Sequence, residues 1–217
     1  AFTPPLSADD LMYHFYIPRK FLELGKICYF DDFLFSAMPQ HMEMLWTICI
    51  AVDSAELAQL LNCFIGIFIC FWINKFGKNI GIEKSFRIYG ITLFYSISTI
   101  GPTSTTGSVE IGATLFFISS IYFLSQYLKN YSTNSIVFSS VFLAMFCSCK
   151  LPYYAVPPII VLYTFFSLWK ANRLTTDTLK QIIAQCSIVI FLSSNWLIFN
   201  FLETGNPVYP WLSSSLG

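Results

Sequence analysis

Charged side chains are scarce in this sequence, and that scarcity argues against an ordinary soluble domain. Asp, Glu, Lys and Arg make up 11% of the 217 residues, whereas a soluble globular domain carries about 25%. The formal net charge is zero, and no basic stripe occurs along the chain. A nucleic-acid partner is therefore not expected, because it would require an excess of basic residues.

Cysteine motifs of the metal-binding and redox types are also missing. The sequence has seven cysteines, an odd number, and most of them lie inside apolar runs. Cys147 and Cys149 are separated by one residue, so they do not form a CxxC pair, and no metal-ligand partners lie near them in the sequence. We interpret the cysteines as small apolar side chains that fill space between helices.

Apolar residues are abundant and occur in long runs. They account for 55% of the chain, with 23 phenylalanines, and the mean hydropathy is +0.62. A membrane-spanning helix needs about 20 mostly apolar residues. The sequence therefore predicts an all-α polytopic membrane helical bundle with about six spans, of which the fourth is short: 54–76, 84–101, 109–128, 135–149, 152–170 and 181–202.

These spans divide the chain into three predicted regions. Residues 1–53 form a first outer loop with interfacial helices, 54–202 form the helical bundle, and 203–217 begin a further outer loop. The stretch 36–52 is too short to cross a membrane easily, and we expect it to lie at the interface as an amphipathic helix. The chain begins without Met or a signal peptide, so we expect it to be the N-terminal part of a longer protein, with a membrane helix before it and more helices after it.

The distribution of cations predicts the orientation. Loops on the cytoplasmic side are enriched in Lys and Arg, and the alternate connections carry Lys75, Lys78, Lys84, Arg87, Lys129, Lys170, Arg173 and Lys180. Residues 1–53 then face outward. Only Glu83 and Asp177, among the twelve acidic residues, fall on the inner side, so the outer side carries an acidic excess that the rule for cations does not explain. An outward-facing acidic site would account for it.

Asp9 and Asp10 are the first candidates for catalysis. In an extended loop, adjacent side chains point to opposite sides, so one of these carboxylates would face a given site. A carboxylate there can act as a general base or help to hold a divalent cation. The alternative is structural, with Ser7 or Asp9 capping a helix that continues through His14.

Further candidates follow in the same loop and downstream. On a helix, Asp10 and His14 share a face, next to Tyr13, and can form an acid–base or phosphate-contacting pair. The alternative is a structural role for His14. Two cations, Arg19 and Lys20, suit either a phosphate ligand or anionic lipid headgroups. Each of the two downstream candidates has a functional and a structural interpretation. Glu110 begins a predicted span and either serves a site at the membrane rim or complements the helix dipole; Lys150 either pairs with an anion or snorkels.

The order and spacing of several segments resemble the membrane glycosyltransferases of the GT-C fold. The branch is that of the dolichyl-phosphate-mannose protein mannosyltransferases and the aminoarabinose transferases of lipid A. The resemblance covers nearly the whole chain, although no single motif is specific. It rests on Asp9-Asp10-Leu11-Met12-Tyr13-His14-Phe15 with Pro18 and Gly25-Lys26, on Met38-Pro39 through Glu43, on Gly107-Ser108-Val109-Glu110, on Lys150, and on Gly205-Asn206-Pro207-Val208-Tyr209-Pro210.

The resemblance implies a donor, a location and roles for residues. Such enzymes transfer a sugar from a polyprenyl-phosphate carrier to a lipid, glycan or protein acceptor on the outer, periplasmic face of the bacterial cytoplasmic membrane. Asp9 is the implied catalytic base, with Asp10 as the alternative. At the position of Glu110, Asp is commoner. The implied substrate-binding residues are Tyr13, His14, Arg19, Lys20 and Lys150, of which Lys150 or Arg19 would neutralise the departing lipid phosphate.

Metal use and the rival functions stay open at this stage. The first loop has no Asp-x-Asp, so no cofactor is expected, with a divalent cation as the alternative. A transporter or flippase of lipid-linked sugars would explain the acidic rim and the broken helices equally well. Such a protein more usually shows charges in mid-span and two matching halves, neither of which is visible in this sequence. An envelope polymerase or ligase without the GT-C fold is a third alternative.

Overall fold

The computed structural model describes residues 4–5, 7–30, 32–52 and 54–213, and no strand occurs among them. Helix accounts for 77% of the structure, which confirms the all-α prediction. The chain packs as two compact units, Ala1–Leu115 and Phe116–Gly217. The boundary between the units falls within one helix, Val109–Asn130.

The first unit begins with short helical elements. A π-helical segment (Asp10–His14) leads into α1 (Tyr16–Leu24), and a 3-10 turn (Leu34–Ala37) precedes α2 (His41–Ile50). Helix α1 buries Ile17, Pro18 and Phe21 on one face and ends at Gly25. Gly25 has φ 64°, the left-handed conformation that glycine adopts at helix ends without steric cost.

The rest of the first unit consists of longer helices. Helix α3 (Ala55–Asn79) starts at Ser54, whose side chain accepts a hydrogen bond from the backbone N–H of Leu57 (3.0 Å). It packs against α4 (Lys84–Ser96) and the short α5 (Ile100–Ser104). Helix α6 (Val109–Asn130) begins in this unit and continues into the second.

The second unit is built around the last helix of the chain. Helix α7 (Thr133–Cys147) and a 3-10 segment (Leu151–Ala155) are followed by α8 (Val156–Lys170) and α9 (Thr176–Thr204). Both α7 and α8 pack along α9. Thr175 and Thr178 form a reciprocal capping box at the start of α9, which satisfies donors that the first turn of a helix otherwise leaves unpaired.

Four helical segments among the described residues are long and apolar enough to cross a membrane. They are Ala55–Asn79, Val109–Asn130, Leu151–Lys170 and Thr176–Thr204. The other two predicted spans, 84–101 and 135–149, correspond to helices of 13 and 15 residues. At 1.5 Å per residue these helices reach only about 20–22 Å, against a hydrocarbon core of about 30 Å. The prediction of six spans is thus supported for four.

The structure bears on three local features of the sequence. The segment with the two aspartates is helical, as the structural alternative predicted, although the Asp9 side chain makes no capping hydrogen bond. The Pro157-Pro158 pair predicts a kink within the span 152–170, but both prolines lie in the first turn of α8, where a missing backbone N–H costs little. Trp46, whose residue type suits the depth of a membrane interface, is fully buried within the first unit.

Candidate functional site

Asp10 links the beginning of the chain to the loop that precedes α6. Its side chain is 1% exposed, and its Oδ1 accepts a hydrogen bond from the backbone N–H of Gly107 at 2.9 Å. A buried carboxylate is costly unless hydrogen bonds satisfy it. The bond to Gly107 therefore fixes the position of the π-helical segment against the loop.

The loop at 106–108 is held from the other side by Asn62 of α3. The Asn62 amide nitrogen donates to the carbonyl oxygens of Thr106 (2.7 Å) and Ser108 (2.9 Å). Asn62 is fully buried, so these bonds replace the water that the two carbonyls would otherwise bind. The loop is consequently fastened between a membrane-length helix and Asp10.

Gly107 is the point of closest approach between the loop and the first helical segment. A Cβ atom at this position would lie 2.7 Å from Cζ of Phe15 and 2.8 Å from Oδ1 of Asp10. Real Cβ atoms essentially never come so close. The position therefore requires glycine for space, because any side chain would push away either the aromatic ring or the carboxylate.

Opposing effects act on the ionisation of Asp10. Burial raises its pKa above the ordinary value of 3.8, and the charge of Asp9 acts in the same direction. The Gly107 N–H, the neighbouring His14 and the Gln59 side chain lower the pKa. The net direction is upward, so this carboxyl holds its proton more strongly than an exposed aspartate would.

His14 pairs with Glu43. The sequence had suggested Asp10 as its partner. Its Nδ1 lies 2.7 Å from Oε1 of Glu43 on α2, and both side chains are buried. The expectation of an Asp10–His14 pair was wrong because the Asp10 side chain is engaged by Gly107.

An acidic cleft of about 300 Å³ opens beside these residues. Its carboxylates include Asp9 and Glu110, both exposed, and the Oε2 of Glu110 accepts a hydrogen bond from the Ser108 hydroxyl at 2.5 Å. Several predicted site residues are thus brought together here. The cleft is lined by Ser7, Asp9, Asp10, Tyr13, His14, Pro102, Thr103, Thr106, Ser108 and Glu110.

The negative charge of this cleft raises the pKa of the Tyr13 phenol. Burial raises the pKa of the Tyr13 phenol, and the charges of Asp9, Glu110, Glu43 and Asp10 raise it further. The phenol therefore stays protonated at neutral pH and can donate a hydrogen bond. Its ring stacks on Phe35, with 4.5 Å between the ring centroids, which fixes the ring at the cleft wall.

Asp10 also borders a second cleft of about 320 Å³, which contains Arg19. Glu56, in the first turn of α3, lines the same cleft. The two clefts therefore share Asp10, and each includes residues from the N-terminal end of a membrane-length helix, α6 for the acidic cleft and α3 for the second. The second cleft is lined by Pro5, Asp10, Leu11, Phe15, Tyr16, Arg19, Ala55 and Glu56.

The other two predicted phosphate-binding cations lie elsewhere. Lys20 is paired with Glu23 on the exposed side of α1 at 2.7 Å, and it lines neither of these clefts. Lys150 belongs to the second unit, where it precedes the 3-10 segment Leu151–Ala155.

Three residues of this arrangement were not predicted as site residues. Gly107 and Asn62 act through space and backbone contacts, which leave little trace in a sequence. For Glu43 the sequence does carry a signal of a site residue, because Glu43 is a single carboxylate between two methionines at the start of an apolar helix. Such a residue must find a partner when it is buried.

Neither the cysteines nor the carboxylates of the described residues form a metal cluster. No group of three or more His, Cys, Asp or Glu side chains in that part of the chain is arranged to hold a metal ion. Comparisons of the chain with protein-family models, with curated proteins and with solved structures gave no match. The argument about function therefore rests on the residues of the acidic cleft themselves.

Proposed function

We propose that this chain is part of an integral membrane glycosyltransferase of the GT-C type. It transfers a sugar from a polyprenyl-phosphate donor to a lipid, glycan or protein acceptor of the cell envelope. The main supporting observation is the acidic cleft, in which the exposed carboxylates of Asp9 and Glu110 meet at the N-terminal end of a membrane-length helix. A lipid-borne substrate presents its sugar at this depth, beside the hydrocarbon boundary.

Asp9 is the proposed catalytic base. Asp9 is exposed in the cleft, whereas Asp10 is buried and accepts a hydrogen bond from the backbone N–H of Gly107. In the proposed step, Asp9 takes the proton of the acceptor hydroxyl while the oxygen attacks the anomeric carbon. The bond between that carbon and the phosphate oxygen breaks, and polyprenyl phosphate leaves with the electron pair. Asp10 is then a positioning residue that holds Asp9 in place.

Glu110 and the cations take the remaining roles. Glu110 is suited to accept hydrogen bonds from hydroxyls of the sugar, since a carboxylate offers two acceptor oxygens. Arg19 lines the cleft that shares Asp10, and its guanidinium is suited to bind the departing phosphate in a bidentate manner. In this proposal Arg19 is the first choice for phosphate binding and Lys150 the second, while Tyr13 donates a hydrogen bond from the cleft wall.

The proposed location is the bacterial cytoplasmic membrane, with the acidic cleft facing the periplasm. Helix α3 has 25 residues and spans about 37 Å, so Lys78 at its end lies on the opposite side of the membrane from its start. In a variant whose seven native cysteines are replaced, we expect a membrane-impermeant maleimide to label Lys20→Cys from the periplasm and Lys78→Cys only after the membrane is opened. Labelling in the reverse order would contradict this orientation.

The decisive experiment is sugar transfer by the full-length protein in membranes that are supplied with radiolabelled polyprenyl-phosphate sugars. Asp9→Asn should reduce transfer by at least about 10²-fold, the usual contribution of a general base. Asp177→Asn is the matched control, because Asp177 is an exposed aspartate in the first turn of α9 and does not line the acidic cleft.

Two results would contradict the proposal in different ways. Full activity in both Asp9→Asn and Asp10→Asn would exclude the mechanism. No transfer by the wild type from any donor, with lipid-linked sugar moved across the bilayer instead, would identify a flippase.

A further inference from the structure

The His14–Glu43 pair is a buried interaction between ionisable side chains that the proposed transfer step does not use. The two residues are 3% and 4% exposed, and Nδ1 and Oε1 are 2.7 Å apart. Burying such groups costs more free energy than their attraction commonly returns. A pair of this kind therefore calls for an explanation beyond stability.

The chemistry of the pair determines which ring nitrogen carries the proton. An ionised carboxylate can only accept hydrogen bonds, so His14 must donate from Nδ1 to Glu43. In the neutral imidazole the other nitrogen, Nε2, is then an acceptor. Without such a partner the choice of tautomer is not fixed. Glu43 thereby selects a His14 that offers an acceptor nitrogen.

Because His14 lines the acidic cleft, its tautomer affects molecules that bind there. His14 lines the cleft, whereas Glu43 does not. The His14 ring is fixed on two further sides, by Tyr13 at 4.0 Å between ring centroids and by the edge of Trp46 at 5.5 Å. The hydrogen bond by which Glu43 acts on a residue of the cleft is the one to the His14 ring, while its charge also acts on Tyr13.

Helix α2 is firmly anchored beneath the pair. Met42 and Trp46, on either side of Glu43, are fully buried. The Thr47 hydroxyl donates a hydrogen bond to the Glu43 carbonyl at 2.7 Å. The Glu43 side chain thus projects from a fixed backbone, as expected of a group that orients another.

We propose that Glu43 is a positioning residue that keeps His14 in the Nδ1–H tautomer. The Nε2 of His14 then accepts a hydrogen bond from a hydroxyl of the substrate in the acidic cleft. The ligand class is a polyhydroxylated molecule, the sugar of the donor or a glycan acceptor, and this assignment rests on the proposed function. The cleft holds carboxylates, the Tyr13 phenol and one imidazole acceptor, a set that suits hydroxyl groups.

The tautomer can be observed directly, because the chain contains two histidines. The full-length protein is labelled with ¹⁵N-histidine and studied by NMR at a pH where the imidazoles are neutral. His41→Gln leaves the His14 resonances and so assigns them. We expect a protonated Nδ1 and an unprotonated Nε2 in His14, and Glu43→Leu should return the ring to Nε2–H. A wild-type His14 that carries its proton on Nε2 would overturn the assignment.

Kinetics test whether the tautomer matters for the substrate. We expect kcat/KM for sugar transfer to fall at least about tenfold in Glu43→Leu and in His14→Gln, the loss of roughly one hydrogen bond. The double variant should be no worse than the single ones, because the two residues act as a unit. Glu43→Gln should retain most of the activity, since its amide oxygen still accepts from Nδ1. His41→Gln, on the same helix, is the control.

The outcomes separate this inference from the proposed function. No transfer by the wild type would count against the function, while the NMR experiment would still test the Glu43 contact. Active enzyme with additive effects of the two substitutions, or with Glu43→Leu equal to His41→Gln, would contradict the positioning role alone. If Glu43→Leu fails to fold, loss of the Nδ1–H resonance or of activity in folded Glu43→Gln would contradict the role equally well.

Discussion

The Asp10 carboxylate and the Gly107 backbone N–H, 97 residues apart in the sequence, form a hydrogen bond of 2.9 Å. The bond brings two short segments together, because Asp9 precedes Asp10 and Glu110 follows Gly107 by three residues. Both exposed carboxylates consequently face the same cleft. This buried contact and the two hydrogen bonds from Asn62 to the same loop thus hold the walls of the acidic cleft together.

Gly107→Ala should disrupt this contact. The added methyl group would overlap the Phe15 ring and the Asp10 carboxylate, and overpacking of this kind costs about 1–3 kcal/mol. We expect a lower unfolding temperature in detergent and a loss of sugar transfer. Gly101→Ala is the control, because a Cβ at Gly101 would meet nothing within 4 Å. Equal unfolding temperatures for the two variants would contradict the packing argument.

Asn62→Ala should release the loop from α3. The substitution leaves the carbonyls of Thr106 and Ser108 without their donor, which costs about 1–3 kcal/mol for buried groups. Thermal unfolding measures this loss, and proteolysis between residues 104 and 108 should become faster. The matched control is Asn74→Ala on the same helix, which removes an exposed hydrogen bond to Arg87. Similar destabilisation by both substitutions would argue against a special role for Asn62.

The sequence predicted the apolar helices well, because membrane spans depend on composition summed over about 20 residues. Two predictions of span length failed, since the break at Ile97 and the turn after Cys147 depend on local backbone geometry that hydropathy does not report. A run of apolar residues predicts that a membrane helix exists. Where that helix ends depends on individual residues, which the run does not reveal.

The candidate site was predicted in part. Asp9, Tyr13, His14 and Glu110 were named from charge and position, and the structure places them around one cleft. The partner of His14 was assigned wrongly, because the i,i+4 rule compares only residues on one helix. Glu43 lies 29 residues further along the chain, and such tertiary pairs do not follow from local spacing.

Asp10→Asn should change the pH dependence of stability. Because the pKa of Asp10 is raised above 3.8 in the folded protein, the folded state binds more protons than the unfolded state as the pH rises above that value. The free energy of unfolding that depends on this carboxyl therefore falls with rising pH. Asn stays neutral, so the stability of the variant relative to the wild type should increase between about pH 4 and about pH 7.

Unfolding temperatures at these two pH values, for the wild type and Asp10→Asn, test this sign. Asp177→Asn removes an exposed charge and gives the baseline. A relative stability of Asp10→Asn that decreases with pH would show that the hydrogen bond from Gly107 outweighs burial in setting the pKa of Asp10.

Met42 of α2 packs into the space left by Gly112 in the first turns of α6, and this pair predicts a coupled effect. A Cβ at Gly112 would overlap the Met42 side chain, which is fully buried. Gly112→Ala should therefore destabilise the protein by about 1–3 kcal/mol, and Met42→Ala by about 2–5 kcal/mol because of the cavity it leaves. In the double variant the new methyl group fills part of that cavity, so the combined loss should be smaller than the sum by about 1 kcal/mol or more. Gly90→Ala, where the nearest atom would be Ile73 Cγ2 at 3.8 Å, is the control and should be neutral or stabilising.

Strict additivity of the two losses would mean that α2 and the start of α6 do not share this contact. The position of Glu43 on α2 would then depend on contacts other than the packing of Met42 against Gly112.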